Sequence, residues 1–322
     1  MNRFAFAASR LRAAAVAVAL LLAGVAAAAQ QAKPRRVPQA PFTFRANVGE
    51  VLVHASVYDR HHRAVLNLPE SDFTVYENGV PQHIEYFAHS DAPVSVGILV
   101  DNSGSMRDKR PEVDKAALNF VRASNPQDEE FIVNFNDEYY LDAPFTNSLA
   151  TLQKGLEQIE SRGGTALYDA VIASLDYLNR NAKNDKRVLL VITDGDDDAS
   201  RYTLEQTVRM VQSENPPLIY CIGLLDSDDT GYMKKTAKRA LKALADATGG
   251  VAYFPKNLAQ VNTITREVAT AIRAQYTLAY HSNQTGDGFR AIRVLVKDRR
   301  HKHLIVDTRK GYYHTAAATA GR

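Results

Sequence analysis

The sequence predicts an α/β fold: a doubly wound, mostly parallel sheet inserted between the segments of a small β-sandwich. Three observations carry this. Between residues 92 and 275, continuous apolar runs alternate with amphipathic helical patterns, as strands covered on both faces by crossover helices do. On either side, over 42–90 and 276–313, apolar residues recur with period two. Neither flank is long enough to bury a core alone, so the two are expected to form one sandwich of about six strands.

The chain begins with a segment that reads as an address. Residues 1–29 hold Arg3, Arg10 and Arg12, no acid, an apolar run from Ala13 to Ala29, and small residues at Ala27-Ala28-Ala29. That is the pattern of a Sec-type signal peptide cut before Gln30, which predicts a periplasmic or secreted protein. The competing reading is a membrane anchor, for which an alanine-rich run of this length is marginal. Residues 30–41 read as a flexible leader and 314–322 as a disordered tail. No later segment is apolar enough to cross a bilayer. The formal charge of +3 comes from 39 Lys+Arg against 36 Asp+Glu. The three arginines of the signal segment account for it, so the rest is balanced and lacks the basic footprint of a nucleic-acid binder. A single cysteine, Cys221, excludes a disulfide framework and a Cys-rich zinc site, and its apolar neighbours mark it as core.

The elements follow in order. Val51, Val53, Ala55 and Val57 alternate, as do Phe73 and Val75. Asn78-Gly79 then predicts a type I′ hairpin, since both residues tolerate positive φ. Val94–Val100 is a buried strand. Val113, Ala116, Ala117, Phe120 and Val121 fall on one helix face. Phe131–Phe135 is a second strand, and Tyr139–Leu141 a short edge piece. Helices follow around Leu152, Leu156 and Ile159, and around Leu167, Val171, Leu175 and Leu178. Next come a strand over 188–193, a helix over 203–213 and a strand over 218–225. A helix through Ala237, Leu241 and Leu244 is stopped by Gly249-Gly250. A short strand over 251–254 precedes a closing helix through Leu258, Val261, Ile264, Val268 and Ile272. Period two returns at Tyr276, Leu278 and Tyr280, at Ile292, Val294 and Val296, and at Leu304 and Val306.

Chemistry gathers at two strand ends. One strand runs into Asp101-Asn102-Ser103-Gly104-Ser105, another into Asp194-Gly195, and Gly163-Gly164-Thr165 opens a helix between them. If the sheet has the order 3-2-1-4-5-6, the strands ending at Asp101 and Asp194 are neighbours across the switch point, where a ligand crevice forms. The donors are all hard oxygens, which suit Mg²⁺, Mn²⁺ or Ca²⁺ and not zinc or copper. Two carboxylates balance one divalent ion. Five protein ligands leave a place for an acidic side chain from outside. The competing readings are that Ser103 and Ser105 merely cap the next helix and Asp101 satisfies turn amides, or that the site is degenerate.

These residues resemble the metal-ion-dependent adhesion site of von Willebrand factor type A (VWA) domains: Asp-x-Ser-x-Ser, a Thr after Gly-Gly, and an Asp-Gly closing a strand. All five positions are present, at Asp101, Ser103, Ser105, Thr165 and Asp194, and the resemblance spans roughly 92–275. The Asp72–Gly79 segment and Gly311–Tyr313 resemble secreted bacterial VWFA-related domain proteins, whose functions are mostly unassigned. The resemblance implies a module that grips a partner protein through a Glu or Asp on the bound ion. An assembly or chaperone-like accessory subunit of an envelope complex is the alternative.

Other residues were weighed beside these. Arg107, Lys109 and Arg110 could steer an acidic partner or simply solvate a helix start. Asp196, Asp197 and Asp198 could tune the site or form a solvated acidic loop; Arg107, Asp196 and Asp197 are the candidate partner-contacting residues. The run from Asp226 to Gly231 lacks the twelfth-position acid of an EF-hand. His61-His62 stand alone, and His301 and His303 are expected on one strand face. A metal held by two Asp could in principle serve hydrolysis, so a metal-dependent hydrolase is the least favoured alternative; no nucleophile–base pair and no phosphate loop is present, so an enzyme is not expected.

Overall fold

The computed structural model describes residues 50–314, apart from 62, 90–91, 158–159, 226–230, 299 and 302. The expected signal peptide, leader, most of the Asp226–Gly231 run and the tail beyond His314 lie outside the described residues; His314 itself, expected to open the tail, ends a strand and meets Glu214. Among the described residues, no helix is long and apolar enough to cross a membrane.

The strands are β1 (Glu50–Tyr58), β2 (Phe73–Glu77), β3 (Val80–Gln82), β4 (Tyr86–Ala88), β5 (Val94–Asp101), β6 (Glu129–Phe135), β7 (Tyr139–Thr146), β8 (Lys186–Thr193), β9 (Leu218–Gly223), β10 (Ala252–Tyr253), β11 (Tyr276–His281), β12 (Gly288–Val296), β13 (Ile305–Thr308) and β14 (Gly311–His314). Among the described residues the α-helices are α1 (Arg110–Arg122), α2 (Leu149–Leu156), α3 (Leu167–Asn181), α4 (Leu204–Val211), α5 (Tyr232–Thr248) and α6 (Val261–Arg273).

The central sheet runs β10-β9-β8-β5-β6-β7. All pairings are parallel except that of β7 with β6. This is the predicted doubly wound order, with β5 and β8 adjacent at the switch point. Every residue of β5, β6 and β9 is buried, because helices cover both faces. Val113 and Phe120 of α1, Leu152 of α2 and Val268 of α6 pack on Ile98, Ile132 and Leu190. Val171 of α3, Val211 of α4 and Leu241 of α5 pack on the other face against Leu99, Val133 and Val191. Gly249 closes α5 at φ 86°, the left-handed turn expected there. The edge strand β7 is longer than expected. Asp142 and Pro144 interrupt its apolar pattern, and an edge strand tolerates both.

Two four-stranded sheets, β13-β1-β11-β4 and β14-β12-β2-β3, share one core. Val53, Tyr276 and Leu278 meet Phe73, Val75, Val294 and Tyr312 there. Eight strands stand where about six were expected, because β4 and β14 are too short to show a period. Asn78 (φ 47°) and Gly79 (φ 83°) form the predicted positive-φ turn between β2 and β3. His301 and His303 are not on a strand. They lie between β12 and β13, where the Asp298 carboxylate meets His301 Nδ1 and organises a turn. His61 likewise sits in a turn, donating its amide to Asp59 Oδ1 at 2.8 Å.

The chain enters and leaves the α/β unit at the amino end of the central strands. Asp128 accepts from Val94 N, the first residue of β5, at 2.8 Å, and from Arg273 Nη2, the last of α6, at 2.9 Å. Lys186 Nζ donates to Ile272 O beside them. The sandwich grips this same end. The fully buried Arg309 donates to Leu52 O, Ser213 O and Glu214 O, and Tyr313 N donates to Gln212 O at 2.9 Å. The carboxyl ends of β5 and β8 therefore face away from the sandwich.

Candidate metal centre

β5 ends at Asp101 because its carboxylate bends the chain. Oδ1 accepts from Ser103 N at 2.7 Å, an Asx-turn that competes with continuation of the strand. Oδ2 accepts from Thr193 Oγ1 at 2.5 Å, which ties the end of β5 to the end of β8. A short 3-10 turn, Gly104–Met106, follows and is anchored by the fully buried Met106. Neither Ser103 nor Ser105 caps α1, whose N-cap is Lys109, and Ser103 makes no side-chain cap bond to the 3-10 turn. Instead their hydroxyls lie 3.1 Å apart, and Ser105 Oγ donates to Asp194 Oδ1 at 2.7 Å.

The third loop is latched onto the first. Gly104 N donates to Gly163 O at 3.1 Å and Arg162 N to Asn102 O at 2.9 Å. Gly163 has φ 75°, and a side chain there would overlap the Asp137 carboxylate, so only glycine fits. Asp137 Oδ1 accepts from Gly164 N at 2.7 Å, and Asp198 Oδ1 accepts from Thr165 N at 2.6 Å. Thr165 O in turn accepts from Asp198 N and Ala199 N. This double clasp turns Thr165 toward the Asp194-Gly195 corner: a Cβ added at Gly195 would lie 3.3 Å from Thr165 Oγ1. The five sequence-nominated residues thus gather at one place. Asp137 was not foreseen as part of it, and Asp198 was foreseen only as one of three acids that could tune it. Their only sequence signal is position, since each follows the carboxyl end of a buried strand.

The electrostatics are unbalanced. Asp101 is fully buried, and burial pushes its carboxyl up to about 6, with the Asp194 carboxylate adding to the rise against hydrogen bonds from Thr193 and Ser103. The Asp194 side chain is 1% exposed; its Oδ2 is held at 2.7 Å by Lys109 Nζ. Lys109 is therefore paired within the site and is not a free steering charge. Arg110 is buried too, 2.9 Å from Asp114 on its own helix. Arg107 is exposed at the rim, with Nη2 3.2 Å from Ser161 O.

The run Asp196–Asp198 is part solvated, with Asp198 exposed, and it also organises its neighbours. Asp197 Oδ2 accepts from Tyr168 N at the start of α3 and from Ser200 Oγ, at 2.9 and 2.6 Å. Asp196 Oδ1 accepts from Asp197 N at 3.1 Å. Burial raises the carboxyls of both Asp196 and Asp197. The run builds the start of α3 and the Thr165 corner.

Among the described residues no group of three or more His, Cys, Asp or Glu side chains is placed to hold a metal. The candidate centre differs in composition, with two carboxylates and three hydroxyls. A divalent cation fits it on two counts. The donors are all hard oxygens, and Asp101 is a buried carboxylate that its own neighbours leave under-stabilised.

A doubly wound domain with an all-oxygen centre at its switch point defines the class. Residues 96–196 match the family model of the von Willebrand factor type A domain. No curated protein matches the chain. Among solved structures, proximal thread matrix protein 1 from the mussel byssus is 16% identical, with 61% of this chain and 51% of that one covered at a TM-score of 0.50. This chain thus spans about half the length of that protein. A further structure of it, 17% identical with 61% and 50% covered at a TM-score of 0.49, is described as having a zinc-occupied MIDAS motif. A von Willebrand factor type A protein from Catenulispora acidiphila is 12% identical, covering 85% of this chain and 75% of its own at 0.49. At such identities the likeness is one of fold.

Proposed function

We propose that this protein is a secreted or periplasmic protein-binding module, adhesive in type and not catalytic, that works through a divalent cation, Mg²⁺ or else Mn²⁺ or Ca²⁺. Asp101, Ser103, Ser105, Thr165 and Asp194 would hold the ion. Bound there, the ion would supply a Lewis-acidic position for a partner's Glu or Asp carboxylate. The observation that carries this reading is the convergence of three distant loops, through Ser105–Asp194, Thr193–Asp101 and Gly104–Gly163 contacts, onto one set of oxygens.

The protein's own groups have distinct tasks. Asp101 and Asp194 supply negative charge in a site shielded from water, where it acts at full strength. Ser103, Ser105 and Thr165 supply neutral oxygens. Asp137 and Asp198 fix the Thr165 corner in advance, so little ordering accompanies binding. Arg107 lies at the rim, where it can draw an acidic partner inward. The attachment of the sandwich to the opposite end leaves this face accessible.

Calorimetry of the purified chain with Mg²⁺, Mn²⁺ and Ca²⁺, followed by capture of partners from envelope extract, tests the proposal. Metal binding and capture are expected together; EDTA, Asp101→Ala or Asp194→Ala should each abolish both. Capture that survives EDTA, or absence of heat with all three ions, would refute it. Purified from its native host, the protein should begin at Gln30; a retained residue 1–29 segment would refute the signal-peptide part.

A further inference from the structure

Lys109 is not among the motif's oxygen donors, yet it is the side chain most directly opposed to a cation there. Its Nζ lies 2.7 Å from Asp194 Oδ2, with the lysine side chain 15% exposed and the aspartate 1%. A pair this buried is poorly screened by salt. The backbone holds the lysine in place: Lys109 N donates to Met106 O at 2.9 Å, and Met106 is fully buried. The neighbouring Arg110 is paired with Asp114 on its own helix and feels the Asp101 carboxylate only from a distance, so Lys109 is the positive charge in direct contact with the centre.

Charge arithmetic then fixes the behaviour. The three charged groups around the proposed ion, Asp101, Asp194 and Lys109, together carry one formal negative charge. A divalent cation would bring it to one positive, and a net charge in so buried a place is unfavourable. A carboxylate from outside would restore neutrality. We infer that Lys109 is a built-in counter-ion which weakens the metal's hold on the centre alone and makes cation and external carboxylate bind cooperatively. This rests on the proposed function and specifies its regulation: the ion is held firmly only when an acidic partner is present. By linkage, the carboxylate strengthens ion binding by the same factor as the ion strengthens carboxylate binding.

The test is titration of the purified chain with Mn²⁺, reading free Mn²⁺ by electron paramagnetic resonance, with and without saturating acetate as the carboxylate probe. Lys109→Met removes the charge at similar length, and Lys109→Arg keeps it. Lys109→Met should bind Mn²⁺ about tenfold more tightly without acetate, about 1.4 kcal/mol, and should lose most of the acetate-induced gain. Lys109→Arg should retain the parent's affinity and gain. If Lys109→Met does not fold, Lys109→Gln replaces it in the same comparison. Mn²⁺ binding by the charge-removed variant that is unchanged or weaker, or an acetate gain as large as the parent's, overturns the inference while leaving the proposed function standing. Absence of Mn²⁺ binding by the parent chain overturns both.

Discussion

At Asp101 two demands conflict. Burial raises its carboxyl to about 6, so at neutral pH the folded protein carries an ionised group in surroundings that disfavour it. The sign follows from linkage: an acid whose folded pKa exceeds its unfolded value costs stability as pH rises through that interval. Asp101→Asn should therefore raise the melting temperature of the metal-free chain at pH 8, by on the order of 1–2 kcal/mol of stability, while abolishing ion binding. A variant that melts lower in EDTA than the parent would show that the carboxylate is a structural asset. The five oxygen-bearing residues were legible in the sequence because their spacing is a local pattern. The roles of Lys109, Asp137 and Asp198 were not, because each acts on a loop that reaches it only after folding. Lys109 looked like one more charge at a helix start until its ammonium was found on Asp194.

Among the elements, the strands around the switch point were legible for a simple reason. A strand covered on both faces has no solvent side, so β5, β8 and β9 read as unbroken apolar runs. The same logic explains what was obscured. β7 carries Asp142 and Pro144 at an exposed edge, and β4 and β14 are only three and four residues long. The loop from residue 161 to 166 is the element on which the site turns. Gly163→Ala would place a methyl group at φ 75° against the Asp137 carboxylate. It should cost about 1–3 kcal/mol and weaken Mn²⁺ binding, since the Thr165 corner would shift with it. Equal metal affinity in parent and variant would show that the corner tolerates movement.

For the molecule as a whole, charge is buried near the amino ends of the central strands. Glu130 of β6 is 2% exposed, and burial, with the carboxylates of Asp128 and Glu129 nearby, pushes it up to about 7 against an opposing bond from Ser124. Between its ordinary value of 4.5 and about 7 the folded protein keeps a proton that the unfolded chain has lost. Stability should fall as pH rises through that window and level off above it. Glu130→Gln should be more stable than the parent at pH 8, by on the order of 2 kcal/mol, and no different at pH 4, as measured by urea unfolding. An equal difference at both pH values would assign the effect to packing. The sequence foretold two β flanks joined across an insertion. It could not foretell how they are fastened to it, because Arg309 and Asp128 look like ordinary surface charges until their partners are known.

The single strand β5 joins the two ends of this arrangement: Val94 is clamped by Asp128 at the sandwich end, and Asp101 stands in the candidate centre at the other. A tether pulled from the Asp101 end against the sandwich would therefore load β5 along its own length. The covalent backbone of β5 would then carry the tension, while its hydrogen bonds to β6 and β8 hold the strand in register. A strand flanked on both sides in this way is the rope of the molecule, suited to carrying force between a fixed base and whatever the far end holds.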